Sequence, residues 1–354
     1  MSDVPDKVPD RRAIVDRRKL ADALAGNDRK QATALLAGAL ERGREEIARR
    51  LVEQPYAGTE SAASTAFLTD QIVRLTHDYV TATVHPLSNP TAGERLLLLG
   101  LGGYGRGEMA PYSDVDIAFV TPWKPTGWTE QAIESILYLL WDLKLKVGHA
   151  ARSADEAIAT ARADHTARTA MLEARYVWGD EALFDDVMTR FRRDISSGDV
   201  RRFVGEKLDE RNARHKRMGD SRYVVEPNIK EGKGGLRDLH TLYWIGKFAY
   251  RVRDAAGLVD AGLLSASEYG QFRRAERFLW AVRCHLHTIA GRAEERLTFD
   301  YQREIATRMN YADRPGNAPV ERFMKHYFLH AKTVGDLTGV FLAHLDEKIG
   351  RAHV

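Results

Sequence analysis

Two aspartates one residue apart, Asp114 and Asp116, lie at the start of an apolar run and follow a glycine-rich bend. On a strand, residues two apart share a face. Both carboxylates therefore point one way, while Val115 and Ile117 point into a core. Two unpaired carboxylates side by side repel, and a divalent cation relieves that repulsion; hard oxygen ligands favour Mg2+ or Mn2+. Two such ions about 3.5–4 Å apart can hold both the attacking and the leaving oxygen of a phosphoryl transfer. The bend complements the acids. Gly102 and Gly103 have no side chains, so their amides can approach a triphosphate, while Arg106 offers a cation and Ser113 a hydroxyl. A glycine hairpin with two solvated aspartates is the plainer alternative. It accounts for an isolated Asp-x-Asp, but not for apolar strands on both sides of the glycines. No Gly-Lys-Ser/Thr ending is present, which excludes a P-loop, and no helix is expected directly after the glycines, which excludes a dinucleotide-binding turn.

A second candidate element is the glycine-rich stretch 226–235, where Lys230 and Lys233 bracket flexible backbone and a helix begins at Leu236. A helix start presents free amides and the positive end of a dipole. The stretch reads as a phosphate- or base-contacting loop, with Arg237 touching the nucleotide or holding Asp238. An ordinary helix start after a turn is the alternative.

Strands and helices must position these groups. Residues 96–101 form an apolar run of strand length, and 115–120 form a second. Residues 128–140 have helical spacing. Residues 141–147 alternate, with Leu143, Leu145 and Val147 opposed to Asp142, Lys144 and Lys146, as in a half-buried strand. Before this small α/β unit, 17–51 and 64–84 read as helices, broken around Pro55 and Gly58. After it, 155–162, 166–178, 181–191, 201–217, 239–252, 267–289 and 320–345 all read as helical. The expected organisation is a disordered N-terminus over 1–20, a helical extension over 21–90, the catalytic core over 91–195 and a helical domain over 196–354.

The chain has 354 residues, enough for one large or two modest domains. With 29% charged residues and a net charge of +3, it reads as soluble with no expected nucleic-acid partner, although a local basic patch remains open to phosphates. The single cysteine, Cys284, excludes an internal disulfide framework and a Cys-rich zinc site, and it suits a reducing cytoplasm. The charged N-terminus lacks the apolar core of a secretory signal, and no apolar run is long enough to span a membrane.

Other groups are set aside. The run 201–217, with seven Lys/Arg and three Asp/Glu, reads as a solvated helix face. His77-Asp78 lacks the further ligands of a His-Asp hydrolase. His326 and His330 share a helix face but lack a zincin's glutamate, and His285 and His287 face different ways. Tyr243, Trp244, Phe248 and Tyr250 read as core.

Gly-Gly, a spacer, then Asp-x-Asp between strands resembles the DNA polymerase β-type nucleotidyltransferase superfamily. The string from Gly102 to Asp116 resembles more narrowly the uridylyltransferases of the nitrogen regulatory protein PII, as do 226–240 and 141–149. The likeness extends over roughly residues 30–350. It implies an α+β fold: a small mixed β-sheet nucleotidyltransferase core framed by helices, then a mostly helical domain. It implies UMP transfer from UTP to a PII tyrosine with Mg2+ or Mn2+, in the cytoplasm and without a membrane. Adenylyl transfer to another protein, such as glutamine synthetase, and a non-catalytic nucleotide-binding module are the alternatives; the presence of both aspartates speaks against the latter. The superfamily also uses a third carboxylate on a neighbouring strand. Asp142 is the candidate for catalysis and metal binding, with Glu173 in reserve. Family members also carry a His-Asp hydrolase and two ACT domains. The 354 residues hold neither, so uridylyl removal and glutamine sensing are not expected of them.

Overall fold

A computed structural model describes residues 8–195 and 199–351. The chain divides into two compact units, residues 1–50 with 60–195, and residues 51–59 with 196–354. The N-terminal helices thus share a unit with the sheet.

The first unit contains a four-stranded mixed sheet in the order β3-β2-β1-β4, with β1 (Leu97–Gly100), β2 (Val115–Thr121), β3 (Val147–Ser153) and β4 (Arg175–Gly179). β1 runs antiparallel to β2 and β4, whereas β2 and β3 are parallel. The helices around it are α1 (Arg11–Ile14), α2 (Arg17–Leu24), α3 (Arg29–Glu53), α4 (Gly58–Tyr79), α5 (Gly102–Arg106), α6 (Gly127–Asp142), α7 (Ala154–Ala163), α8 (His165–Leu172) and α9 (Glu181–Asp194). Strand alternation divides the core between the two faces of the sheet. Leu98, Val115, Ile117 and Phe119 pack with residues of α3, α4 and α6. Leu97, Leu99, Ala118 and Val120 pack with Ile158, Val187 and Phe191 from α7 and α9.

Three expectations change here. The disorder expected over 1–20 gives way to α1 and the start of α2, which bury Ile14 and Leu20; residues 1–7 lie outside the described residues. The helix expected over 166–178 ends at Leu172, and β4 follows. The strand expected over 141–147 is instead the end of α6 and a tight turn. Lys144 takes a left-handed φ of 58°, and Leu145 N donates to Leu140 O at 3.2 Å, which closes the helix in a Schellman-type turn. Leu143 and Leu145 are buried by that turn, so their alternation imitates a strand.

The second unit is helical: α10 (Val200–Arg217), α11 (Leu236–Tyr250), α12 (Gly257–Asp260), α13 (Ala266–Ala290), α14 (Phe299–Arg308) and α15 (Pro319–Arg351). Residues 51–59 pack into it. His285 Nε2 donates to the Pro55 carbonyl at 3.0 Å, and a Cβ on Gly58 would lie 2.0 Å from Ala281 N. Among the described residues, no helix is long and apolar enough to cross a membrane.

Candidate active site

Asp114 and Asp116 are both exposed, while Val115 and Ile117 between and beyond them are at most 1% exposed. The acids share strand parity with Ala118 and Val120, which α7 and α9 cover. Cover therefore ends at Ala118, and the next two positions toward the strand start emerge as carboxylates. Asp116 lies between two glycines. A Cβ on Gly102 would be 3.4 Å from Asp116 Oδ2, and one on Gly148, its parallel partner on β3, would be 2.5 Å from Oδ1. Any side chain at 148 would displace the carboxylate.

The glycine bend is a short helix, not an open loop. Gly102, with φ at 54°, and Gly103 open α5, contrary to the expectation of no helix there. A dinucleotide-binding turn stays excluded on other grounds, because the flanking strands β1 and β2 are antiparallel. The first amides of a helix have no partner one turn back, and Gly102, which opens α5, lies beside the Asp116 carboxylate. Arg175 of β4 secures α5 from behind: it donates to the Tyr104 and Gly105 carbonyls at 3.1 and 3.2 Å and forms a two-pronged pair with Asp70 at 2.8 and 2.9 Å.

Arg106 does not point to a ligand. Its side chain is 8% exposed and pairs with Glu108 at 3.1 Å and Glu173 at 2.5 Å. Burial works against its charge, but the two carboxylates outweigh burial and raise its pKa. Glu173, the reserve third carboxylate, is 3% exposed and serves as that counter-ion. Ser113 Oγ accepts from the Ala110 amide at 3.1 Å and clasps the turn just before Asp114.

The placement of Asp142 on a strand is corrected. The residue ends α6, outside the sheet, and pairs with Arg29 at 2.8 Å with its side chain 47% exposed. β3, the strand beside the aspartates, carries no acid at all. Among the described residues, no group of three or more His, Cys, Asp and Glu is placed to hold a metal. The pair Asp114 and Asp116 still suits a hard cation such as Mg2+, which is commonly held by one or two carboxylates and completes its shell with waters and phosphate oxygens.

In the helical unit the glycine-rich stretch is organised around Asp238. Its carboxylate is 2% exposed and accepts from Arg214, from His215 Nε2 at 2.9 Å and from the Gly234 amide at 2.8 Å. Burial pushes the Asp238 pKa up, but His215, Arg214 and the amide more than offset this and hold it below the usual carboxylate range. Arg237 does not hold Asp238; it pairs with Glu231 at 2.9 Å. Lys233 pairs with Asp220 at 2.8 Å. Lys230 forms no ion pair among the described residues, and burial together with the Arg283 and Arg237 cations lowers its pKa. Arg214 and His215 were missed in the sequence because the run 201–217 reads as solvated, whereas Lys207, Arg214 and His215 are buried. Among the histidines set aside, His326 Nδ1 lies 2.9 Å from the Tyr311 hydroxyl and His330 stacks on Phe278.

Comparison with known proteins bears on the family of the chain. A family model described as GlnD PII-uridylyltransferase matches residues 202–342. A bifunctional uridylyltransferase/uridylyl-removing enzyme of Novosphingobium aromaticivorans is 62% identical over 98% of this chain and 39% of its own length. The chain belongs to the PII-uridylyltransferase family. Enzymes of the same description from Erythrobacter litoralis and Rhodospirillum rubrum are 56% and 53% identical, over 98% and 95% of this chain and 38% and 37% of their own. The chain thus spans about two fifths of the length of these relatives. In this family member, the matched segment 202–342 contains the whole Asp238 cluster, while the aspartates of β2 lie outside it.

Proposed function

We propose that this chain carries the transferase activity of its family. It transfers UMP from UTP to a tyrosine hydroxyl of PII and releases pyrophosphate. The observation that carries this reading is the pair of exposed carboxylates Asp114 and Asp116 beside the amides that open α5. The bond between the α-phosphorus and the bridging oxygen breaks, the tyrosine oxygen bonds to that phosphorus, and the tyrosine proton leaves to solvent or a carboxylate. Asp114 and Asp116 would hold Mg2+ or Mn2+, which supplies positive charge where the triphosphate concentrates negative charge. Gly102 and Gly103 present amides to phosphate oxygens, and Ser113 fixes the turn that aims Asp114. The bare backbones of Gly102 and Gly148 leave the Asp116 carboxylate the room that its orientation needs. A tyrosine hydroxyl ordinarily ionises near pH ~10, so a neighbouring carboxylate or cation must favour its anion. Lys230 is the helical unit's candidate for a nucleotide contact, because among the described residues its ammonium forms no direct ion pair, and Glu231 and Glu295 act on it only from beyond that reach. Arg106, Lys233, Arg237 and Asp142 are each engaged by an internal carboxylate or arginine and are assigned no nucleotide contact. The lone buried Cys284 accords with a reducing, cytoplasmic setting.

The test is incubation with purified PII, Mg2+ and labelled UTP or ATP. Label from UTP should appear on PII, and the Asp114→Asn/Asp116→Asn double variant should abolish it. Transfer from ATP in preference to UTP would point to adenylylation, and undiminished labelling by the double variant would remove the site assignment.

A further inference from the structure

The helical unit forms a half-open cavity of about 380 Å³ with a cationic lining. Arg211, His215 and Lys216 enter it from α10, and Arg222 and Lys233 from the segment that follows. Two acids also line it, but both are committed. Asp220 accepts from Lys233 at 2.8 Å, and Asp238 is held by Arg214 and His215. The remaining cations are only partly balanced, and Lys216 acts on Asp220 from beyond ion-pair distance. Arg211 and Lys216 form no ion pair among the described residues, and Arg222 approaches Asp336 only at 4.0 Å. The Nε atoms of Arg211 and Arg222 are buried without a hydrogen-bond partner. A buried donor in that state is matched in most folded proteins by protein, water or ligand.

The opposite wall is built to leave space. Gly335, Thr338 and Gly339 of α15 line it at positions that share a helix face. A Cβ on Gly335 would lie 2.3 Å from Arg222 Cζ, so the guanidinium rests directly on the α15 backbone; a Cβ on Gly339 would meet nothing within 4 Å. Planar guanidinium forks match carboxylate and phosphate oxygens two at a time. The volume lies at the small end of the range for small-molecule sites.

We propose that this cavity is a binding site for a small dianion, a phosphorylated or dicarboxylate metabolite, held by Arg211, Lys216 and Arg222. The site is independent of Asp114 and Asp116 and stands whether or not those residues carry transfer. An anion drawn between these cations also competes with Asp220 for Lys233, which gives occupancy a direct hold on the glycine-rich segment.

The experiment is calorimetric titration of the 354-residue chain, in chelator to strip divalent ions, with inorganic phosphate in one arm and succinate in the other. Saturable one-to-one binding of at least one probe is expected, and the arm that binds identifies the ligand chemistry. Lys216→Glu changes an exposed side chain, and its urea midpoint is measured beside that of the wild type to separate folding from binding; it should weaken binding at least tenfold, as should Arg211→Gln/Arg222→Gln. Asp114→Asn/Asp116→Asn should leave binding unchanged. Absence of saturable binding in both arms, affinity unmoved by Lys216→Glu, or loss of binding in the aspartate variant would each overturn the site.

Discussion

The start of β2 and the start of α11 each place an acid beside glycine, yet the two regions use their acids in opposite ways. Asp114 and Asp116 are exposed, and Asp116 is flanked by bare backbone. Asp238 is sealed in and accepts from an arginine, a histidine and an amide. A carboxylate kept for a ligand is distinguished by its exposure, and one kept for the fold by its burial among donors. Neither residue type nor nearness to glycine makes that distinction.

The largest test of this contrast is Asp114→Asn/Asp116→Asn. It should lower labelled-UMP incorporation at least ~1000-fold while shifting the free energy of unfolding by less than about 0.5 kcal/mol. Asp238→Asn should do the reverse. It leaves His215 buried without its counter-charge and Arg214 with only Glu231 at 3.8 Å, and should cost about 3–5 kcal/mol in urea unfolding; a loss below about 1 kcal/mol would show that Asp238 is not structural. Gly148→Ala sharpens the picture on the exposed side. The added methyl displaces Asp116, and turnover should fall roughly 10- to 100-fold with unfolding nearly unchanged.

The fourth prediction concerns pH and the helical unit. Burial holds the His285 pKa down at about 4, although the Pro55 carbonyl partly supports the proton. The unfolded chain takes up that proton near pH ~6.5. The folded state is therefore at full strength above 6.5 and loses roughly 3 kcal/mol as pH falls through that window toward the folded value. Glu295 extends the loss. Burial pushes it up, but Arg283 and His287 hold it at about 2, so its contribution disappears below the ordinary glutamate range. Urea midpoints across this range should fall in the wild type and fall less in His285→Gln; parallel curves would refute the assignment. The smallest effect is expected from Asp142→Asn, which breaks only the exposed pair with Arg29. Stability should change by less than about 1 kcal/mol and transfer by less than about twofold; a collapse of transfer would restore Asp142 as the third carboxylate.

The sequence made β1, β2 and the paired aspartates legible because apolar runs and a two-residue period are local signals. The mixed sheet followed by helices was legible for the same reason. Asp142 was misplaced because a Schellman turn buries Leu143 and Leu145 with the alternation of a strand. β4 was lost because Arg175–Gly179 is short and continues a helical pattern without a proline or glycine between them. Arg106 looked available because its counter-ion Glu173 is 67 residues away. The Asp238 cluster was hidden in the same way, since Arg214 and His215 lie 24 and 23 residues before it. Long-range neutralisation leaves no periodic trace in one sequence.

Residues 51–59 belong to the helical unit although the chain on both sides of them belongs to the other. No single cut can therefore separate the two parts cleanly. A piece beginning at 196 would lack the peptide that answers His285 and fills the slot at Ala281, leaving an open furrow along α13. Such a piece should be recovered intact only when that short peptide is supplied alongside it or grafted on, so gene dissection and module swapping must carry the insert with the helices.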